Sequence, residues 1–183
     1  MKKLVLTIAI ALISVGTYAQ SIFDKYESNP DVAFISVSPK MFKMLGSIGI
    51  ETDDPEAQEF ISLVNSITNF KVITTDNGAI SKDITSWVSK HVRSTDLEEL
   101  MRVRDGDSNV KFYVKEGKDD NHVKELVMFV TGFDQANVNI NGKKLETVLL
   151  SLSGDIDLRQ VGKLTDQMDL PGGKQLKKAN KNK

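Results

Sequence analysis

The sequence predicts an α+β fold: a largely antiparallel sheet with helices packed on one face. Three observations lead there. Ile80, Ile84, Trp87, Val88 and His91 repeat at helical spacing, which marks an amphipathic helix. From Met101 the period changes to two, with Met101 and Val103 alternating against Arg102 and Arg104, and Val110, Phe112 and Val114 against Lys111, Tyr113 and Lys115. Polar turns at Asp105–Asn109 and Gly117–Asn121 separate such runs as hairpin connections do.

The elements follow in order. Ser21 caps a short helical turn through Tyr26, which Asn29-Pro30-Asp31 breaks. Val32–Val37 is β-branched and apolar, hence a strand. Ser38-Pro39 and Asp54-Pro55 each place a capping residue before proline, starting two helices. The first carries Met41, Phe42 and Leu45, and core packing is expected to take at least two of Met41, Phe42 and Met44. The second puts Ala57, Phe60, Ile61 and Val64 on one face, and Gly46–Asp53 is the loop between the helices. Ile67–Thr74 is a strand, and Asp76-Asn77-Gly78 turns into the amphipathic helix. Thr95 and Glu98 have the spacing of a capping box and predict a helical turn over 96–100. Val123–Thr131 suits a central strand and Leu145–Ser153 another, and Asp157 caps a last helix with Leu158, Val161, Leu164 and Met168 inward.

Composition bounds the address more tightly than the activity. Lys2 and Lys3, the apolar run Leu4–Val15 and the small residue Ala19 form a secretory leader. That run is shorter than the ~20 residues a membrane helix needs. The domain plan is a signal peptide at 1–19, a single α+β domain at 20–170 and a flexible basic tail at 171–183. No transmembrane segment is expected in the mature chain. The chain has no cysteine, which excludes disulfides, thiolate metal sites, thiol nucleophiles and a lipoprotein anchor. The expected location is therefore outside the cytoplasm, in the periplasm.

The formal charge is −1; without Lys2 and Lys3 it falls to −3, and without the five tail lysines, Lys174, Lys177, Lys178, Lys181 and Lys183, to −8. An acidic body lacks the cationic surface that nucleic acid requires. The basic tail reads as a solvated end.

The runs Leu97–Gly106, Val110–Glu116, Lys124–Val127 and Gly154–Leu158 resemble domain-of-unknown-function family 4252. The likeness extends from about Phe23 to Met168. The resemblance implies a small exported envelope protein, typical of Gram-negative Bacteroidota, and implies no reaction. Many members are lipoproteins, and this chain departs from them in lacking the acceptor cysteine.

Every catalytic or metal-binding pattern has a simpler structural explanation. Asp105, Asp107, Asn109 and Glu116 match alternate and closing positions of a calcium loop, but Val110 stands where that loop needs glycine. A polar hairpin turn accounts for the same residues. His91 lies on an apolar helix face, as a hydrogen-bonded core histidine does, and His122 is expected to be solvated beside a turn. Serine-elbow, phosphate-loop and dinucleotide patterns are missing. No catalytic residue, metal ligand or cofactor site is assigned.

The partner-binding candidates are Arg102, Arg104, Lys111 and Lys115, which alternation places on one face of a hairpin. The expected function is a non-enzymatic protein-interaction or regulatory module of the envelope with an envelope protein as partner. A carrier of lipid or another apolar ligand, and a hydrolase built on His91 or His122, are the alternatives.

Overall fold

A computed structural model describes residues 21–47, 54–132, 139–140, 143–144 and 146–161. The leader, the 48–53 loop, the expected inward residues Leu164 and Met168 and the basic tail lie outside the described residues. In chain order the elements are α1 (Ile22–Tyr26), β1 (Val32–Val37), α2 (Pro39–Ser47), α3 (Pro55–Ser66), β2 (Ile67–Thr75), α4 (Gly78–Ser94), β3 (Glu98–Asp105), β4 (Ser108–Glu116), β5 (His122–Thr131), β6 (Asn139–Ile140), β7 (Lys143–Lys144) and β8 (Thr147–Asp157). Six of the strands form one antiparallel sheet in the order β1-β2-β8-β5-β4-β3. The expected α+β class with an antiparallel sheet is what the molecule has.

The last long strand lies at the centre. β8 pairs with β2 along one edge, where Val72 faces Leu150, and with β5 along the other, where Met128 faces Leu150. Successive strand residues point to opposite faces. Ile73, Val127, Phe129 and Leu149 therefore join α1 and α4 in one core, while Phe112, Leu126, Leu152 and Ile156 join Leu63 of α3 in a second.

Helices thus cover both faces of the sheet rather than the single face expected from sequence. The physical reason is that β5 and β8 are apolar at consecutive positions, as strands buried on both sides are. No described helix is long and apolar enough to cross a membrane.

α4 is fixed at its start and along its length. Asn77 Oδ1 accepts from the amides of Ala79 and Ile80 at 2.9 and 3.2 Å, and Ile80, Ile84 and Val88 are buried beneath the helix. The Ser81 and Thr147 hydroxyls hydrogen-bond at 2.5 Å, tying α4 to β8. α1 is clamped to α4 where Lys25 Nζ and the Tyr26 hydroxyl both donate to Asp83 Oδ2, at 2.7 and 2.9 Å. The Lys25 bond, against the opposing effect of burial and with a further contribution from the Tyr26 bond, holds the Asp83 carboxyl below its usual range.

Three local expectations fail for identifiable reasons. Thr95 and Glu98 do not start a helix: Thr95 ends α4, its hydroxyl donating to the His91 carbonyl at 2.7 Å, and β3 begins at Glu98. Asp96 takes the left-handed conformation, φ 54°, that glycine usually supplies after a helix, and so drops Leu97 into the core. In α3 the inward face runs through Leu63 and Val64, leaving Phe60 exposed, because the apolar residues of this helix span more than one stripe. In α2 only Phe42 is buried, while Met41 and Met44 remain exposed; the side chain of Leu45 lies outside the described set. Asp157 does cap a helical turn, its Oδ1 accepting from the Arg159 amide at 2.9 Å, and Leu158 and Val161 pack on the second core.

Gly154 sits at an irregularity in the β2–β8 pairing. Its φ is +155°, and a Cβ there would overlap the Ser66 carbonyl oxygen, where the β2–β8 register slips between Ile67 and Asn69. Gly154→Ala is expected to destabilise the fold by about 1–3 kcal/mol in urea unfolding. Gly78→Ala, in open space at the first turn of α4, should leave the unfolding midpoint unchanged or raise it slightly.

Candidate functional site

The described pocket lies under the C-terminal half of α4, and β8 creates it. On the α4 side of the sheet, β8 presents Thr147 and Leu149 and then Ser151 and Ser153. The floor therefore changes from a fully buried leucine to two small hydroxyls beneath an uninterrupted helix. Asn69 faces Ser153 across β2, and Lys71 faces Ser151. On the other flank Glu125 of β5 faces Ser153. Trp87, His91, Ser94 and Thr95 form the roof, and Ser21 and Phe23 of the α1 segment close one end, around a volume of about 500 Å³.

The walls are held in place. The Trp87 and His91 rings, one helical turn apart, stack at 4.2 Å between centroids and 14° between planes. Phe23 meets Trp87 edge-on at 6.4 Å. Lys71 Nζ reaches Asp24 at 3.0 Å and lies 5.8 Å from the centre of the Phe23 ring, fixing the α1 end over the sheet. Thr95 and Ser94 hydroxyls both donate to the His91 carbonyl.

At the centre, the Ser151 hydroxyl donates to Glu125 Oε1 at 3.2 Å, and His91 Nε2 stands 4.0 Å from the same oxygen. Burial pushes the His91 imidazole below its ordinary value near 6.5; Glu125 opposes that shift and Lys115 adds to it. The imidazole is consequently neutral at pH 7. The carboxylate sits between serine and histidine, whereas a nucleophilic serine needs the imidazole itself as hydrogen-bond partner.

The sequence-predicted residues divide into two groups. Arg102 faces Lys111 and Arg104 faces Asn109 across the β3–β4 hairpin, on the α4 side of the sheet, so the alternation read from sequence gives the true register. Lys115 is on that side too, but it faces Glu125 at the pocket end, beyond the buried Tyr113. The row is less uniformly positive than its sequence suggests, because Arg102 Nη2 bonds Glu99 Oε2 at 2.6 Å. Arg104 and Lys111 have no ion-pair partner among the described residues.

His91 enters the pocket. His122 does not, and it is not solvated as expected: its side chain is 15% exposed and its Nδ1 lies 2.7 Å from Asp119 Oδ1 within the β4–β5 turn. Asp105, Gly106, Asp107 and Ser108 form a tight hairpin turn, and Glu116 lies at the far end of β4, away from the turn. Sequence reasoning missed Asn69, Lys71, Glu125, Ser151 and Ser153. Their available signal was polarity on the inward face of apolar strands.

The family model for a domain of unknown function, DUF4252, matches residues 26–164. The chain belongs to this family. The DUF4252 match spans β1 through β8, and so takes in the second core, the first core except Ile22 and Phe23, the cationic hairpin and nearly all of the pocket, Ser21 and Phe23 lying just before it. No curated protein and no solved structure matches the chain.

The position of His91 gives a pH dependence of known sign. Its folded-state value is depressed, so the unfolded chain takes up the proton first. Its contribution to stability is complete above about pH 6.5 and is lost as pH falls through the folded value. Melting curves between about pH 7.5 and pH 5 are expected to show a smaller acid-side loss in His91→Gln than in the parent protein.

Proposed function

We propose that this DUF4252 protein is exported to the periplasm of a Gram-negative bacterium. There it acts as a non-enzymatic interaction module, binding an acidic envelope partner along the outer end of its β3–β4 hairpin. The observation that carries this reading is the cross-strand pair Arg102–Lys111, with Arg104 beside it on the same face. Like charges directly opposite one another weaken a sheet. Here they sit on the last hairpin of the sheet, with β3 its edge strand. Glu99 neutralises Arg102, and the net positive charge left at Arg104 and Lys111 suits an acidic surface. The leader sequence supports export, and the acidic body around this basic spot supports a partner that is local rather than nucleic acid.

The Ser151–Glu125–His91 order supports a binding role over hydrolysis, since the serine has a carboxylate acceptor in place of an imidazole base. The polar lining of the pocket favours the interaction module over a lipid carrier.

The test is crosslinking in the periplasm of a host expressing the chain with its own leader, followed by mass spectrometry of what is captured. One recurrent acidic envelope protein is expected, and the Arg104→Glu, Lys111→Glu variant should reduce its capture at least tenfold while keeping the parent melting temperature. Binding of that protein to the purified chain should also weaken steeply between about 0.1 and 1 M salt, as the screening length falls from ~10 to ~3 Å. Equal capture by the charge-reversed variant, or no recurrent partner, contradicts the proposal.

A further inference from the structure

We propose that the pocket beneath α4 binds a neutral carbohydrate. The proposal does not rest on the cationic hairpin, and either can fail without the other.

The lining matches the chemistry of a sugar ring. Each hydroxyl of a sugar both donates and accepts hydrogen bonds, so its receptor must offer both functions at close spacing. The Asn69 amide, the Ser153 hydroxyl, both His91 ring nitrogens and Glu125 Oε2 line the pocket with no hydrogen-bond partner among the described residues. Amide, hydroxyl and neutral imidazole each carry donor and acceptor capacity, and the carboxylate adds an acceptor. A charged ligand fits less well. Lys71 is already neutralised by Asp24, and Glu125 lies directly across from Lys115.

The remaining wall is aromatic. A sugar presents C–H groups on its ring faces, and these pack on aromatic surface while its hydroxyls turn to polar partners. Trp87, Phe23 and His91 line the pocket together, and the indole is held by the stack on His91 and the edge-on contact with Phe23, so the aromatic surface they offer is that of the assembled group. A wall fixed before binding loses little freedom when the ligand arrives. The volume of about 500 Å³ is within the range of small-ligand sites.

Trp87 is the only tryptophan of the chain, so its emission reports on the pocket alone. The purified exported chain is titrated with neutral monosaccharides and disaccharides, and with glycine, glutamate, citrate and phosphate as charged comparators. The expected result is a saturable change in emission with at least one neutral sugar in the millimolar range or below. Asn69→Ala with Ser153→Ala should weaken that binding at least tenfold without moving the urea midpoint by more than the single changes do. If the double variant does not fold, Asn69→Ala alone carries the same comparison. The proposal is overturned if no neutral sugar gives a saturable response. A response to the charged compounds alone overturns it too, as does sugar binding unaltered in a folded variant.

Discussion

The structure depends on one constraint: β8 must be apolar and paired on every side at once. It is hydrogen-bonded to β2 and β5 along its two edges, and its alternate residues feed two different cores. Leu149 and Ile156, on opposite faces of this strand, are both completely buried. Because β8 comes last among the described strands, neither core is complete until it inserts between segments that precede it. Gly154 lets β8 lie directly against the Ser66 carbonyl at the end of α3, where any side chain would overlap.

The pocket is the place where this constraint is relaxed. Along the α4 side of β8 the sequence passes from Leu149 to Ser151 and Ser153, while the helix above continues without a break. α4 cannot sag into the gap, because the Asn77 cap, the Ser81–Thr147 bond and the buried isoleucines fix its first half, and Asp83 ties it to α1. The Trp87–His91 stack and the Glu125–Ser151 bond then arise on opposite sides of an already rigid opening. Room, rigidity and unpaired polar groups thus have one origin in the alternation of a single strand.

Much of this architecture was legible in the sequence, and the failures are specific. α4, the β3–β4 hairpin and the proline-started helices follow from local periodicity and turn chemistry, and local signals survive folding. The Thr95–Glu98 spacing misled because a capping box and a helix end followed by a strand share the same four-residue pattern, and only the burial of Leu97 separates them. Phe60 and Leu63 compete for the same core, and which one turns inward depends on a sheet face assembled from distant strands. Coverage of both sheet faces was readable in principle, from consecutive apolar positions in β5 and β8, but requires knowing that β8 is central. The cationic face was correctly placed by alternation; the neutralising Glu99 and the separation of Lys115 were not, since both follow from pairing rather than from spacing. The pocket residues come from five described elements and their flanks, and share no motif. Their trace was polarity on the inward face of strands that are otherwise apolar there.

Ser151 keeps space open rather than holding the fold together. The most direct measurement is urea unfolding of Ser151→Val, a change that places an apolar group on the pocket floor while sparing the strand preference of the site. The unfolding midpoint should equal or exceed that of the parent, because Glu125 keeps contact with water and the valine gains burial. A midpoint lowered by the equivalent of about 2 kcal/mol, as for a lost buried hydrogen bond, would contradict it.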